Sequence, residues 1–233
     1  MDAAREVAIG LGGVAGNRAL CDAGAMSIVP CHLSDLPRLL ADGTIRADVV
    51  LMQLAPENGE GRFSLGAVNG YVQAALPGAR TAIAEVNDQA PWTFAHASVD
   101  ATDFDRFVRT SRPLVEVPAR RGGEMDRAIA RNIVEFISDD SVLQIGIGTI
   151  PNAVLAQLQD HRRLGLHSGV IGDGVVDLVE RGALDNSTKR LDRGRSVTGG
   201  LVGTKRLYDF AHGNRDFLVE PVTYTHSIAV LAQ

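Results

Sequence analysis

Short apolar runs alternate with segments of helical spacing along most of the chain. Val49 to Leu54 reads as a buried strand, ended by the turn-rich Pro56-Glu57-Asn58-Gly59. Ala67 to Ala75 predicts a helix closed by Pro77-Gly78, and Thr81 to Val86 the next strand. The strongest helical pattern is Glu124 to Ile137, where Ala128, Ile129, Ile133, Val134, Phe136 and Ile137 form a broad apolar stripe. Val142 to Ile145 predicts a strand, and Pro151 to Leu158 a helix with proline in its first turn. Asp173 to Arg181 predicts a helix with Gly182 just beyond it. Thr204 to Ala211 predicts another, followed by a strand at Phe217 to Val219.

Strands separated by helices need crossover connections, so the fold class is α/β with mostly parallel sheets. Pro113 to Gly123 holds two prolines, an arginine pair and a glycine pair, and is the expected seam between residues 1–117 and 118–233. The 233 residues suffice for one large or two small domains with a real core. Aromatic residues are only 5%, which leaves that core to Ala, Val, Leu and Ile. A net charge of -5 argues against a general nucleic-acid binder. Cys21 and Cys31 fit no redox or zinc spacing and read as reduced thiols. His32, His96, His161, His212 and His226 lack zinc spacing too, so no metal is expected. No apolar run reaches the roughly 18 residues of a membrane helix, and no signal peptide is evident. The expectation is a soluble cytoplasmic protein.

Three segments carry candidate chemistry. In Val142 to Val154, a strand runs into Gly146-Ile147-Gly148 and a helix opens near Pro151. Backbone N–H groups there, with the helix N-terminus, could hold an anion; a tight turn without a ligand is the alternative. A dinucleotide fingerprint fails because Pro151 stands at its third glycine, and Gly10 to Gly16 is also off pattern, so no NAD is expected. In Leu164 to Gly174, a strand delivers His167 and Ser168 into a glycine-rich loop, where a satisfied core histidine competes with a functional one. Asp173 reads either as the cap of the following helix or as a ligand group. In Ala82 to Pro91, Glu85 is either a functional carboxylate or the partner of a buried arginine. Lys189, Arg190, Arg193 and Arg195 form a small basic cluster that reads as a solvated face, with contact to phosphates as the alternative.

Four stretches in order carry a resemblance: AEVNDQAP from Ala84, LQIGIGTIPNAV from Leu143, LGLHSGVIGDGVVDL from Leu164 and GTKRLYDF from Gly203. Together they resemble the acetyl-CoA hydrolase and acyl-CoA:carboxylate CoA-transferase family, especially its 4-hydroxybutyrate CoA-transferase-like branch. The resemblance implies two partial CoA-transferase-like domains: the C-terminal portion of the first (1–117) and the N-terminal portion of the second (118–233). Family members are commonly about twice as long, which leaves a fragment, one part of a split protein or a decayed copy as alternatives. The substrates it implies are coenzyme A as an acyl-CoA thioester and a small carboxylate, with a homo-oligomer or a complementary subunit as partner. Gly146, Gly148, Asn152, Asp173 and Gly174 would line the CoA site. His167, Ser168 and Gly169 would face the thioester, with Glu85 as a further candidate carboxylate. The family's nucleophilic glutamate falls where this chain has Gly169, and glycine has no side chain for covalent catalysis. A non-catalytic acyl-CoA-binding or split-enzyme subunit is the alternative to an enzyme.

Overall fold

A computed structural model describes residues 8–11 and 17–233. Most of the Gly10 to Gly16 candidate therefore lies outside the described residues. The first elements are β1 (Ala8–Gly10), α1 (Arg18–Asp22), β2 (Met26–Ile28), parallel to β1, and α2 (Leu36–Ala41). Next come β3 (Val49–Leu54), β4 (Arg62–Phe63), β5 (Thr81–Asn87), β6 (Val99–Asp100) and β7 (Arg106–Thr110). After an irregular stretch over residues 111–123 follow α3 (Glu124–Val134), β8 (Val142–Leu143), α4 (Thr149–Gln157), β9 (Gly165–Leu166) and α5 (Gly174–Glu180). The chain continues through β10 (Ser196–Thr198), α6 (Lys205–Ala211), β11 (Phe217–Val219), α7 (Val222–Thr225) and α8 (Ile228–Leu231).

The α/β class with mostly parallel pairing is what the structure shows. β3, β5 and β7 form a parallel sheet with β5 in the centre. β8 pairs with β9 and β10 with β11, both parallel, and a His167–Val197 bridge joins the two pairs. The short β4–β6 pair is antiparallel. One buried cluster gathers Val50, Met52, Leu54, Ala84, Val86 and Phe104. The other gathers Leu155, Leu164, Leu166, Ile171, Val176 and Phe217. Small and branched aliphatic residues dominate both, as the low aromatic content requires.

Several expectations need correction. The segment 67–75 is not a helix: only a 3-10 turn, Val72–Gly78, forms there. Val68 instead bridges to Gly200, the buried Asn69 amide donates to the Val219 carbonyl, and Gly70 takes φ +55°. These long-range bonds outweigh a weak local helix propensity. β3 is buried only at alternate positions, with Val49 and Leu51 exposed on the other face. The helix from Glu124 stops at Val134, and Phe136 is 89% exposed, so the stripe is only partly covered. The strand at Val142 ends at Leu143, because the chain turns into the exposed glycine loop.

Candidate active site

The glycine loop and the histidine loop lie side by side. The Ile145 N–H donates to Ser168 Oγ at 3.2 Å, and Ser168 Oγ donates to the Ile145 carbonyl. Gly146, Ile147 and Gly148 are exposed, and none of the described residues accepts a hydrogen bond from their backbone N–H groups. Gly148 precedes α4 at φ +134°, a conformation that excludes ordinary side chains. The loop thus presents free N–H groups beside a nine-residue helix N-terminus, an arrangement suited to an anion. Asn152 is half-buried in the first turn of α4, with its backbone N–H on the Gly148 carbonyl.

Ser168 is 0% exposed, and among the described residues its hydroxyl bonds only to Ile145 and to the Val170 carbonyl at 3.2 Å. It ties the two loops together. His167 is 7% exposed, and among the described residues its Nε2 has no hydrogen-bond partner. The ring borders a cavity of about 530 Å³ shared with Gln144, Lys189 and Leu231. Burial pushes the imidazole pKa down and the nearby Lys189 charge adds to this, while Asp192 and a hydrogen bond to the Tyr224 backbone oppose it. The ring also packs against Tyr224, with centroids 5.6 Å apart.

Gly169 lies beside α7. A Cβ at Gly169 would sit 2.8 Å from His226 Cε1 and 3.1 Å from Nε2, so the imidazole fills the space a side chain would enter. Gly174 is a close-packing position: a Cβ there would meet Leu155 of α4 at 3.0 Å. Asp173 does not cap its own helix, α5; its carboxylate accepts from the Thr204 N–H at 3.1 Å and the Thr204 hydroxyl at 2.8 Å, at the start of α6.

Glu85 stands apart from these loops. It pairs with Arg112 at 2.7 Å and also accepts from Thr110 and Gln53, all within or next to the β3–β5–β7 sheet. The Arg112 and Thr110 hydrogen bonds lower its pKa to about 2, so it is a fixed anion at neutral pH. Lys189 corrects the solvated-cluster expectation: it is 5% exposed, and Nζ donates to the Leu166 and Arg195 carbonyls at 2.9 and 2.7 Å. Burial lowers its pKa to about 8.

Sequence reasoning also passed over an acidic pair near His167. Tyr224 donates to Asp192 at 2.6 Å, and His96 lies 3.1 Å from both Asp192 and the buried Glu220. These residues come from three separate segments, and no local spacing signals their meeting. Among the described residues no group of three or more His, Cys, Asp or Glu could hold a metal ion, and no helix is long and apolar enough to cross a membrane.

A mostly parallel α/β scaffold thus sets a free glycine loop at a helix start beside the His-Ser-Gly loop. Residues 14–102 match the family model described as the Acetyl-CoA hydrolase/transferase N-terminal domain. The chain is 36% identical over 224 residues to the 4-hydroxybutyrate coenzyme A transferase of Clostridium kluyveri, covering 96% of this chain and 50% of the relative. It is 35% identical to the succinyl-CoA:acetate/propanoyl-CoA:succinate CoA transferase of Fasciola hepatica, over 90% and 44% of the two chains. Among solved structures, RipA from Yersinia pestis superposes with a TM-score of 0.85 at 33% identity, over 93% of this chain and 51% of that one. The 4-hydroxybutyrate CoA-transferase of Porphyromonas gingivalis gives 0.86 at 28% identity, over 97% and 59%. Over nearly its whole length the chain is similar to CoA-transferases, with residues 14–102 matching the acetyl-CoA hydrolase/transferase N-terminal domain, and it spans about half the length of the curated relatives it matches.

Proposed function

We propose that this chain binds a small acyl-CoA thioester and does not follow the covalent glutamyl route that the family resemblance implies. The observation that carries this is Gly169. It supplies no nucleophile, and His226 fills the adjoining space. Ser168 is no substitute, because its hydroxyl is buried and bonded to the backbone. The free N–H groups of Gly146, Ile147 and Gly148 are the proposed contacts for negative charge on the thioester oxygen or a CoA phosphate. Asn152 and His167 flank them. Asp173 and Gly174 serve this site by fixing the loop, through Thr204 and Leu155 respectively.

Glu85 is assigned to holding Arg112. Exposed apolar residues such as Val115, Met125 and Phe136 support coverage by further protein, either a second copy or a complementary subunit. Water is then the acceptor available to the thioester. The test is release of free CoA from acetyl-CoA with and without an added carboxylate, together with the intact mass of the protein. Release that ignores the carboxylate and leaves no covalent adduct is expected. Acyl-CoA formation from the added carboxylate, or a CoA adduct on the chain, overturns the reading. Binding without release is the outcome for a non-catalytic subunit, which the glycine at position 169 also favours.

A further inference from the structure

His226 is fixed by two sets of bonds. Its backbone N–H donates to the Val222 carbonyl at 3.0 Å, which holds the residue in the turn after α7. Its Nδ1 lies 2.9 Å from Thr225 Oγ1. Thr225 is 3% exposed, and its hydroxyl donates to the Pro221 carbonyl at 3.4 Å. A hydroxyl has one proton, so with that proton on Pro221 its lone pair accepts from Nδ1–H. The neutral imidazole then carries its free lone pair on Nε2, the nitrogen 3.1 Å from where a Gly169 side chain would begin. Gly169 and His226 are both half-buried, so water and a substrate can reach this edge of the ring, unlike the sealed Ser168 hydroxyl.

We propose that His226, whose ring occupies the space beside Gly169, is the general base that directs water onto the acyl-CoA thioester. The inference rests on the acyl-CoA reading above. Nε2 takes a proton from water as the water oxygen bonds to the thioester carbonyl carbon. The carbon–sulfur bond then breaks with its electron pair on sulfur, and the imidazolium returns the proton to the CoA thiolate. The products are the free acid and CoA thiol, with no oxidant or further reactant. Thr225 is a positioning residue in this scheme, since it orients the ring and selects the tautomer.

The test uses the full chain, acetyl-CoA and a thiol-reactive dye, with acetyl-CoA binding measured separately by calorimetry. His226→Ala is expected to lower kcat by about 100- to 10,000-fold with little change in binding, as for loss of a general base. Added imidazole restores part of that rate. A variant rate within about twofold of the parent, or a loss that imidazole does not rescue, overturns the proposal. If His226→Ala does not fold, His226→Gln serves, since it can still bond Thr225 but cannot act as a base; the same loss is expected, and a parental rate overturns the proposal. Failure of the parent chain to bind acetyl-CoA overturns the acyl-CoA reading and this inference together. Turnover by the parent that survives removal of His226 overturns the inference alone.

Discussion

Replacing Ser168 with alanine separates a structural brace from a nucleophile. The wild-type hydroxyl accepts from the Ile145 N–H at 3.2 Å and donates to the Ile145 carbonyl, with the Val170 carbonyl as a second acceptor at 3.2 Å. Ser168 is 0% exposed, so water cannot take over these bonds without entering the packed site. Alanine leaves the Ile145 donor and acceptor unpaired beside a methyl group. A stranded buried polar group costs about 1–3 kcal/mol. For a chain of this size, that is a melting-temperature loss of about 2–12 °C. Urea unfolding at constant slope gives the free energy directly. CoA release from acetyl-CoA by folded Ser168→Ala should stay within about fivefold of the parent, the residual loss reflecting a looser glycine loop. Full stability together with abolished CoA release would refute the brace and make Ser168 the nucleophile.

Three other perturbations follow from the geometry. Asp173→Ala removes the carboxylate that caps α6 at Thr204 and should cost about 1 kcal/mol in urea unfolding, while Asp173→Asn should recover part of it. The Glu85 carboxyl titrates at about 2 in the folded chain against 4.5 when free, so its pairing with Arg112 is fully present above pH 4.5 and is lost as pH falls toward 2. Glu85→Gln should flatten that part of the acid-unfolding curve, and an unchanged curve would argue against the pairing. Lys189 loses its proton at about 8 folded and 10.5 unfolded; the unfolded chain binds more protons between these values, so stability should rise with pH across that window. Lys189→Met should abolish the rise, read as melting temperature against pH.

The pattern of apolar positions located β3, β5, α4, α5, α6 and β11 to within a few residues, because each carries its own run and its own terminator. It failed at residues 67–75, where Asn69 and Gly70 answer to Val219 and Gly199 across the molecule rather than to their neighbours. It also overstated burial in β3 and α3, since periodicity marks an apolar face and cannot say what covers it. At the candidate site, the glycine loop and the His167 loop were each legible as a strand running into glycines, but only the family resemblance implied that they share a site. The engagement of Asp173 with Thr204 was not legible, because the two lie 31 residues apart in sequence. Nor was the packing of His226 against Gly169, which joins two segments without any shared motif. Lys189 looked solvated among its charged neighbours, yet its long apolar stem runs inward and its ammonium finds two carbonyls.

The central claim, that the loops at Gly146 and His167 hold an acyl-CoA thioester, is tested most directly by thermal melts of the chain with acetyl-CoA and, separately, with NAD. A ligand that binds only the folded state at 100 times its Kd adds about 2.7 kcal/mol, a shift of several degrees. A rise with acetyl-CoA that grows with concentration, and none with NAD, is the expected result. A cooperative melt that acetyl-CoA leaves unmoved, or that NAD raises equally, would contradict it.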